Sequence, residues 1–310
     1  MEDLFKRFLD YCRFQKNLST KTVKAYSIDF RQFTSFIRGK SPDVSSPECV
    51  SKDLIIDFLR DISEKYKIKS VKRKIACLKA FFNYLEAEDI IMVNPFRKVK
   101  IRLKEPKALP RTLNLNEIEG IIRNAYAAVP AVAGSYAYKA AFRDIAVLEL
   151  LFATGFRVSE LCSIKTIDID LDNSFVKVNG KGSKERVIFI ENKDVIAALK
   201  NYMQLFEDKI FNSEFFFLNR LNSRLSEQSV RYMLKKHSHE AKICRNVTPH
   251  MFRHSFGTLL LEEGVDIKYI QHFLGHSSIL TTQIYTHVNK IKQKEILAAK
   301  HPRNHFKIDC

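Results

Sequence analysis

The chain has 310 residues, 45% of them hydrophobic, which suits two domains of ordinary size with buried cores. Its formal net charge is +17, from 52 lysines and arginines against 35 aspartates and glutamates, and such an excess favours a polyanionic partner, nucleic acid first. No apolar run approaches the roughly 18–20 residues that span a bilayer, and no basic amphipathic helix carries an aromatic apolar face, so a membrane partner is disfavoured.

The chain opens MEDLFKRFLDY, acidic and helical, which does not read as a signal peptide. Leu4, Phe5, Phe8, Leu9 and Cys12 share one stripe at helical period. Asn17-Leu18-Ser19 breaks that run, and Ser19 or Thr20 caps a second helix with Val23, Tyr26, Phe30, Phe33, Phe36 and Ile37 on its apolar positions. After a loop from Gly39 to Pro47, a third helix presents Leu54, Ile55, Phe58, Leu59 and Ile62. A fourth, from about Ser70 to Ala87, carries Val71, Ile75, Leu78, Phe81, Phe82 and Leu85. Four helices with short connections predict a small bundle over residues 1–95.

The fourth helix and its approach hold Lys65, Lys67, Lys69, Lys72, Arg73, Lys74 and Lys79, with no acidic partner one turn away after Glu64. Like charges at that spacing repel unless an anion is bound, so this face reads as DNA-facing, with Lys69, Lys72, Arg73 and Lys74 as contacts. A helix start at Ser70 would add backbone N–H groups for a phosphate. Lys21 and Lys24, at the start of the second helix, are companions. Residues 96–111 are basic and bracketed by prolines, which predicts a linker lying along DNA with Lys100, Arg102 and Lys104 as further contacts.

From Leu115 the chain is helical again, over residues 112–310 as a second domain. Between Tyr126 and Lys139 lies AAVPAVAGSYAY, an Ala/Gly/Pro stretch that reads as a surface insertion or a partner contact. An apolar helix from Arg143 to Phe152 ends around Thr154-Gly155, and Arg157 precedes the next. SFVKVNGKGSKERVIFI alternates apolar and polar residues around Gly180-Lys181-Gly182-Ser183, a β-hairpin with Lys181 at its tip and Lys184 and Arg186 beside it. Residues 193–209 and 226–241 read as two helices, with Arg231, Lys235, Lys236 and His237 as additions to a basic face. The six cysteines are scattered without a CxxC pair, which fits a reduced cytosolic chain with no metal site.

The stretch TPHMFRHSFGTLLLEEGVDIKYIQHFLGHSSILTTQIYTHV carries the densest chemistry. Thr248 caps a helix and Pro249 suits its first position. His250 and Arg253 then share one face, a seat for phosphate, with Phe256, Leu259 and Leu260 facing away. Gly264 ends that helix, a second runs from about Ile267 to Leu274, and a third carries Tyr285. After it, residues 290–300 form a terminal helix and HPRNHFKIDC a tail.

Arg157 in TGFRVSEL, Lys181 in GKGSKER, His250, Arg253, His276 and Tyr285, in this order, resemble the tyrosine recombinase (phage integrase) family, within it the Xer-type site-specific recombinases. The resemblance covers nearly the whole chain. It implies a mainly α fold, an N-terminal four-helix core-binding bundle joined by a basic linker to a mostly α catalytic domain with a small β-hairpin or sheet. Tyr285 falls on the nucleophile, which attacks a DNA phosphodiester and forms a 3′-phosphotyrosine. Arg157 and Arg253 suit the charge developing on the non-bridging oxygens, and Lys181 protonates the departing 5′-oxygen. His250 is the base candidate, His276 a hydrogen-bond donor to a non-bridging oxygen, and Glu160 orients Arg157 or tunes His250. Bond energy is kept in the phosphotyrosine, so no metal or other cofactor is implied. Phe156 departs from the leucine usual before the first arginine.

The partners implied are a double-stranded recombination site and a homo- or hetero-tetramer of recombinase protomers. A regulatory translocase or accessory protein joins them in some settings, and the cytoplasm, at the nucleoid, is the implied location. The terminal helix has few large apolar groups, Ile291, Ile296 and Leu297, and the resemblance implies that it docks on a neighbouring protomer. Two other functions stay open: a type IB topoisomerase-like nicking and closing enzyme, and a non-catalytic basic DNA-binding protein.

Overall fold

The computed structural model describes residues 1–99, 103, 112–179, 185–275 and 290–305, of which 290–293 by backbone alone. The chain forms two compact units, Met1–Ala108 and Leu109–Cys310, each with its own hydrophobic core. Among the described residues, no helix is long and apolar enough to cross a membrane.

The first unit is the expected bundle: α1 (Glu2–Phe14), α2 (Thr20–Lys40), α3 (Lys52–Lys65) and α4 (Ile68–Ala87). Ser19 and Ser51 cap α2 and α3 by accepting from Thr22 and Leu54 N–H. Phe8, Phe33, Phe58, Phe81 and Phe82 fill the centre, each almost wholly buried and contributing roughly 1.5–3 kcal/mol of transfer free energy. Phe96 and Val99, assigned from sequence to the linker, also pack here. The remaining linker positions, with Lys100, Arg102 and Lys104, lie outside the described residues.

Two expectations about α4 are corrected. It starts at Ile68, with the Ser70 N–H already bonded to Lys67 O (2.8 Å). Lys74 is only 2% exposed and cannot face DNA. Its ammonium bonds to Asp29 (3.0 Å) and Gln32 of α2 and lies 4.4 Å from the Tyr66 ring centre. Arg73 reaches the same carboxylate and Ala25 O. Asp29 is buried between them, so the missing acidic partner comes from another helix rather than from one turn away. Lys21, Lys24, Lys69 and Lys72 are exposed. The pairings Tyr26–Cys77, Phe30–Phe81 and Phe33–Phe82 climb both helices together, so α2 and α4 run parallel. Those four lysines therefore share one end of the bundle, beside two helix N-termini.

The second unit begins with α5 (Leu115–Ala127), held by a capping box between Asn114 and Glu117. Then comes α6, which spans Tyr136–Thr154, capped by Ser135. The last three residues of the supposed insertion, Tyr136 to Tyr138, thus belong to the first turn of α6. A short α7 (Val158–Cys162) leads to an antiparallel sheet of β1 (Ile169–Asp170), β2 (Phe175–Asn179) and β3 (Glu185–Phe189), in that order. The β1 strand was not expected; it pairs Ile169 with Val176, while Val178 pairs with Arg186 across β2 and β3. The helix expected over 193–209 breaks at Phe206 into α8 (Lys193–Leu205) and α9 (Glu207–Phe211). Helices α10 (Glu227–Glu240), α11 (Pro249–Glu262), α12 (Ile267–Leu274) and α13 (Lys290–Lys300) follow. His237 is buried and bonded to Asn124 (3.0 Å), so it adds nothing to a basic face.

Residues 297–305, part of them expected only as a tail, pack within their own unit, although few large apolar groups were available to anchor them. Leu297 is buried, and Arg303 has no exposed surface, pairing both its Nε and Nη2 with Glu149 of α6 (2.8 Å each). His301 donates from Nε2 to Ala153 O (2.9 Å) and accepts at Nδ1 from the Arg303 N–H (2.9 Å), which fixes a neutral imidazole. Burial pushes its pKa down from 6.5 to about 4. The unfolded chain therefore takes up a proton that the folded one refuses. Stability from this site is whole above the unfolded value of 6.5 and is lost as pH falls towards 4. A shift of that size is worth on the order of 3 kcal/mol. Hydrogen exchange of the 300–305 peptide, corrected for intrinsic rate, should lose protection across that window, and His301→Asn should flatten the pH dependence. Unchanged protection from pH 7 to 4 would mean the imidazole is not held neutral.

Candidate active site

The site grows from the end of α6. Gly155 stands there at φ +60°, and a Cβ would meet Phe256 at 2.6 Å and Leu274 at 2.9 Å, so a side chain is excluded on two counts. The chain leaves this turn directly into Arg157, the cap residue of α7. Glu160, in the first turn of α7, reaches back to accept the Arg157 N–H (2.9 Å) and its Nη1 (2.6 Å). Arg157 also donates from Nη2 to Gly275 O (3.2 Å).

Arg253 enters from α11, whose start is as expected: Thr248 accepts from Met251 N–H and Pro249 takes the first position. The supposed opposition between a polar and an apolar face is not what forms. Arg253 is buried among the same core as Phe256 and Leu260, and its guanidinium donates to Gly155 O (2.9 Å) and to Leu274 O, with Glu160 3.9 Å away. Burial, then the charge of Arg157, lowers its pKa to about 10, with Glu160 opposing. His250 is exposed one turn before. Partial burial, then the charges of His254, Arg253, Arg231 and Arg157, lowers its pKa, which keeps the ring in its basic form at neutral pH.

A third arginine belongs to this cluster, and sequence reading gave it only a place beside the hairpin turn. Arg186 of β3 is buried and grips both Glu160 oxygens (3.2 and 2.8 Å), while its Nε donates to Phe273 O (3.1 Å). Its Cζ lies 5.5 Å from the centre of the Phe156 ring, which gives the departure at that position a role. The signal was present in the strand pattern: Arg186 shares the inward parity of Ile188. Burial works against the Glu160 charge, but the bonds and charge of Arg186, then those of Arg157, hold its carboxyl below the usual range.

Three successive carbonyls at the end of α12 thus take three different guanidinium groups: Phe273 from Arg186, Leu274 from Arg253, Gly275 from Arg157. Gly275 is left-handed (φ +59°), and a Cβ there would lie 2.9 Å from Arg186 Nη1. The structure therefore brings together Arg157, Glu160, Arg253 and the turn preceding His276, with His250 nearby. Lys181, His276 and Tyr285 lie outside the described residues. Tyr269, the tyrosine of α12, packs against the core.

Residues 112–292 match the Phage integrase family and residues 5–89 the phage integrase N-terminal SAM-like domain. A tyrosine recombinase of Agathobacter rectalis is 46% identical over 299 residues, 96% of this chain and 96% of that protein. Tyrosine recombinase XerD of Listeria monocytogenes is 35% identical over 308 residues, 98% of this chain and all of the relative (100%). The fold matches that of the XerH site-specific recombinase solved on its palindromic difH substrate after cleavage. The TM-score is 0.71 at 21% identity, covering 94% of this chain and 83% of that one. The chain belongs to the phage integrase family of tyrosine recombinases, the enzymes that cut and rejoin DNA in site-specific recombination, and it is Xer-like.

Proposed function

We propose that the cluster around Glu160 receives the scissile phosphate and that Tyr285 attacks it, expelling the 5′-oxygen and leaving the DNA on the tyrosine through a 3′-phosphate. The observation that carries this reading is the charge imbalance: three guanidinium groups, those of Arg157, Arg186 and Arg253, share one carboxylate. Such a site is short of negative charge, and a phosphate going through a pentacoordinate transition state supplies it. Arg157 and Arg253 act on the non-bridging oxygens, Lys181 protonates the leaving oxygen, His250 takes the phenol proton, and His276 donates to a non-bridging oxygen. The domains act as a core-binding unit over 1–95, a basic strap over 96–111 and a catalytic unit over 112–310. Exchange between two duplexes needs four strand cuts, one per nucleophile, so a tetramer is the natural working form. Tethering each broken end covalently conserves bond energy, so the step itself calls for no cofactor.

DNA that becomes covalently attached to the protein identifies the site once sequenced, and it separates a chromosomal locus from a mobile element. On a nicked duplex of that sequence, in EDTA, wild-type protein should form an adduct that survives boiling in detergent. Tyr285→Phe should bind the DNA and form none. Lys181→Ala should lose about 100-fold or more in cleavage rate and recover on a substrate whose 5′-bridging oxygen is sulfur, because a thiolate leaves without a proton. Arg157→Ala should not recover there. An adduct with Tyr285→Phe would rule out this nucleophile and turn attention to Tyr269. Supercoil relaxation without synapsis would point to the nicking and closing chemistry instead.

The bundle's contribution has its own test. Lys21, Lys24, Lys69 and Lys72 meet the DNA backbone, each neutralised phosphate adding about 0.9 to the slope of log affinity against log salt. Lys69→Glu with Lys72→Glu should weaken binding on every sequence and flatten that slope. Lys74→Glu should instead destabilise the first unit by about 3–5 kcal/mol, since it faces Asp29 with a second buried carboxylate. Unchanged binding by the double reversal would return this end of the bundle to ordinary solvated surface.

A further inference from the structure

The pattern of bonds to Glu160 sets Arg186 apart from the other two arginines, since only Arg186 bonds both carboxylate oxygens through its guanidinium. We propose that Arg186 is a positioning residue for strand cleavage: it occupies Glu160 and Phe273 O so that Arg157 and Arg253 keep their charge for the phosphate and α12 is held in register. This rests on the phosphate-binding reading of the cluster above.

The geometry argues for both halves. Glu160 lies within 2.6 Å of Arg157 and 3.9 Å of Arg253, so alone it would draw down the charge of the two groups that must meet the phosphate. Arg186 takes both carboxylate oxygens in a fork that a lysine cannot reproduce, and it is more deeply buried than Arg157, the side chains being 7% and 30% exposed. Arg186 therefore balances the carboxylate from within, while Arg157 opens outward. Its Nε holds the last helical turn of α12, the element that runs through Gly275 into His276. Because Arg186 sits on β3, paired with Val178 of β2, the same bonds anchor the hairpin whose connecting residues include Lys181. One side chain thus ties together α7, β3 and the end of α12. The Phe156 ring closes the other face of its guanidinium.

The alternative is that Arg186 merely fills a buried slot, and kinetics separate the two. The DNA recovered by covalent trapping is made as a nicked duplex, once with a normal scissile phosphate and once with a methylphosphonate, in which an uncharged methyl replaces one non-bridging oxygen. Wild-type adduct formation, and its loss in Tyr285→Phe, are established first. Failure there sinks the recombinase chemistry on which this inference rests. Single-turnover adduct formation is then measured for Arg186→Met and Arg186→Lys. The rate constant belongs only to folded molecules, since misfolded ones lower the amplitude.

DNA affinity should stay within about threefold of wild type, and the rate on the normal phosphate should fall by at least about tenfold in Arg186→Met. Arg186→Lys should lie between, because it keeps the charge and loses the fork. On the methylphosphonate, where less charge develops, the Arg186→Met deficit should shrink by about tenfold. A wild-type rate in both variants overturns the proposal. So does a deficit equal on both substrates, which is the mark of a packing role. If Arg186→Met does not fold, Arg186→Lys decides on the same two substrates.

Discussion

The catalytic unit depends on one buried carboxylate. Glu160 is nearly inaccessible and accepts from Arg157 and Arg186, with Arg253 close by. Removing one partner from a buried charged network of this kind costs about 3–5 kcal/mol, because the charges left behind cannot return to water. The network is also where helix α12 finds partners for its terminal carbonyls, which have no acceptor role left inside the helix. Satisfying that helix end and placing the guanidinium groups are accomplished by the same bonds. Cations at a helix C-terminus are favoured by the dipole as well. The guanidinium groups are therefore held in place by these bonds themselves, which is the arrangement that preorganised charge stabilisation requires.

Helix α6 transmits this order in both directions. At its end, Gly155 O accepts from Arg253, and two residues earlier Ala153 O accepts from His301. Further back, Glu149 holds Arg303 with no solvent exposure on either side chain. The C-terminal segment thus braces the helix that leads into Arg157. Two glycines make this closeness feasible, Gly155 against Phe256 and Leu274, and Gly275 against Arg186. The bundle of the first unit uses a related device for a different end. Asp29 takes Lys74 and Arg73, which joins α2 to α4.

Much of this was legible in the chain itself. Helical period placed α1 to α4, Ser and Thr caps marked α2 and α11, and alternation around Gly180 gave the hairpin. The order of Arg157, Lys181, His250, Arg253, His276 and Tyr285 pointed to the family. These are local signals, set by steric and hydrogen-bonding rules that act within a few residues. The two-residue β1 strand was missed because so short a segment has no period to detect. The extended start of α6 was missed because alanine and glycine suggested a loop, whereas Ser135 capped a helix of Tyr and Ala residues.

What the sequence determined alone was the type and order of its elements and the inventory of reactive groups. Tertiary structure decided which cations are interior. Lys74 and Arg303 look like surface charges in a local window, Arg186 shows its inward side only by strand parity, and in each case a carboxylate far away in the chain meets the buried charge: Asp29, Glu149 and Glu160. The cost of burying a charge is offset by a partner at about 3 Å, and sequence spacing carries no information about that distance. Arg253 is a related case: helical spacing sets it beside Phe256 and Leu260 as much as beside His250, and the packing of α11 against Gly155 and Leu274 supplies the carbonyls that its charge needs.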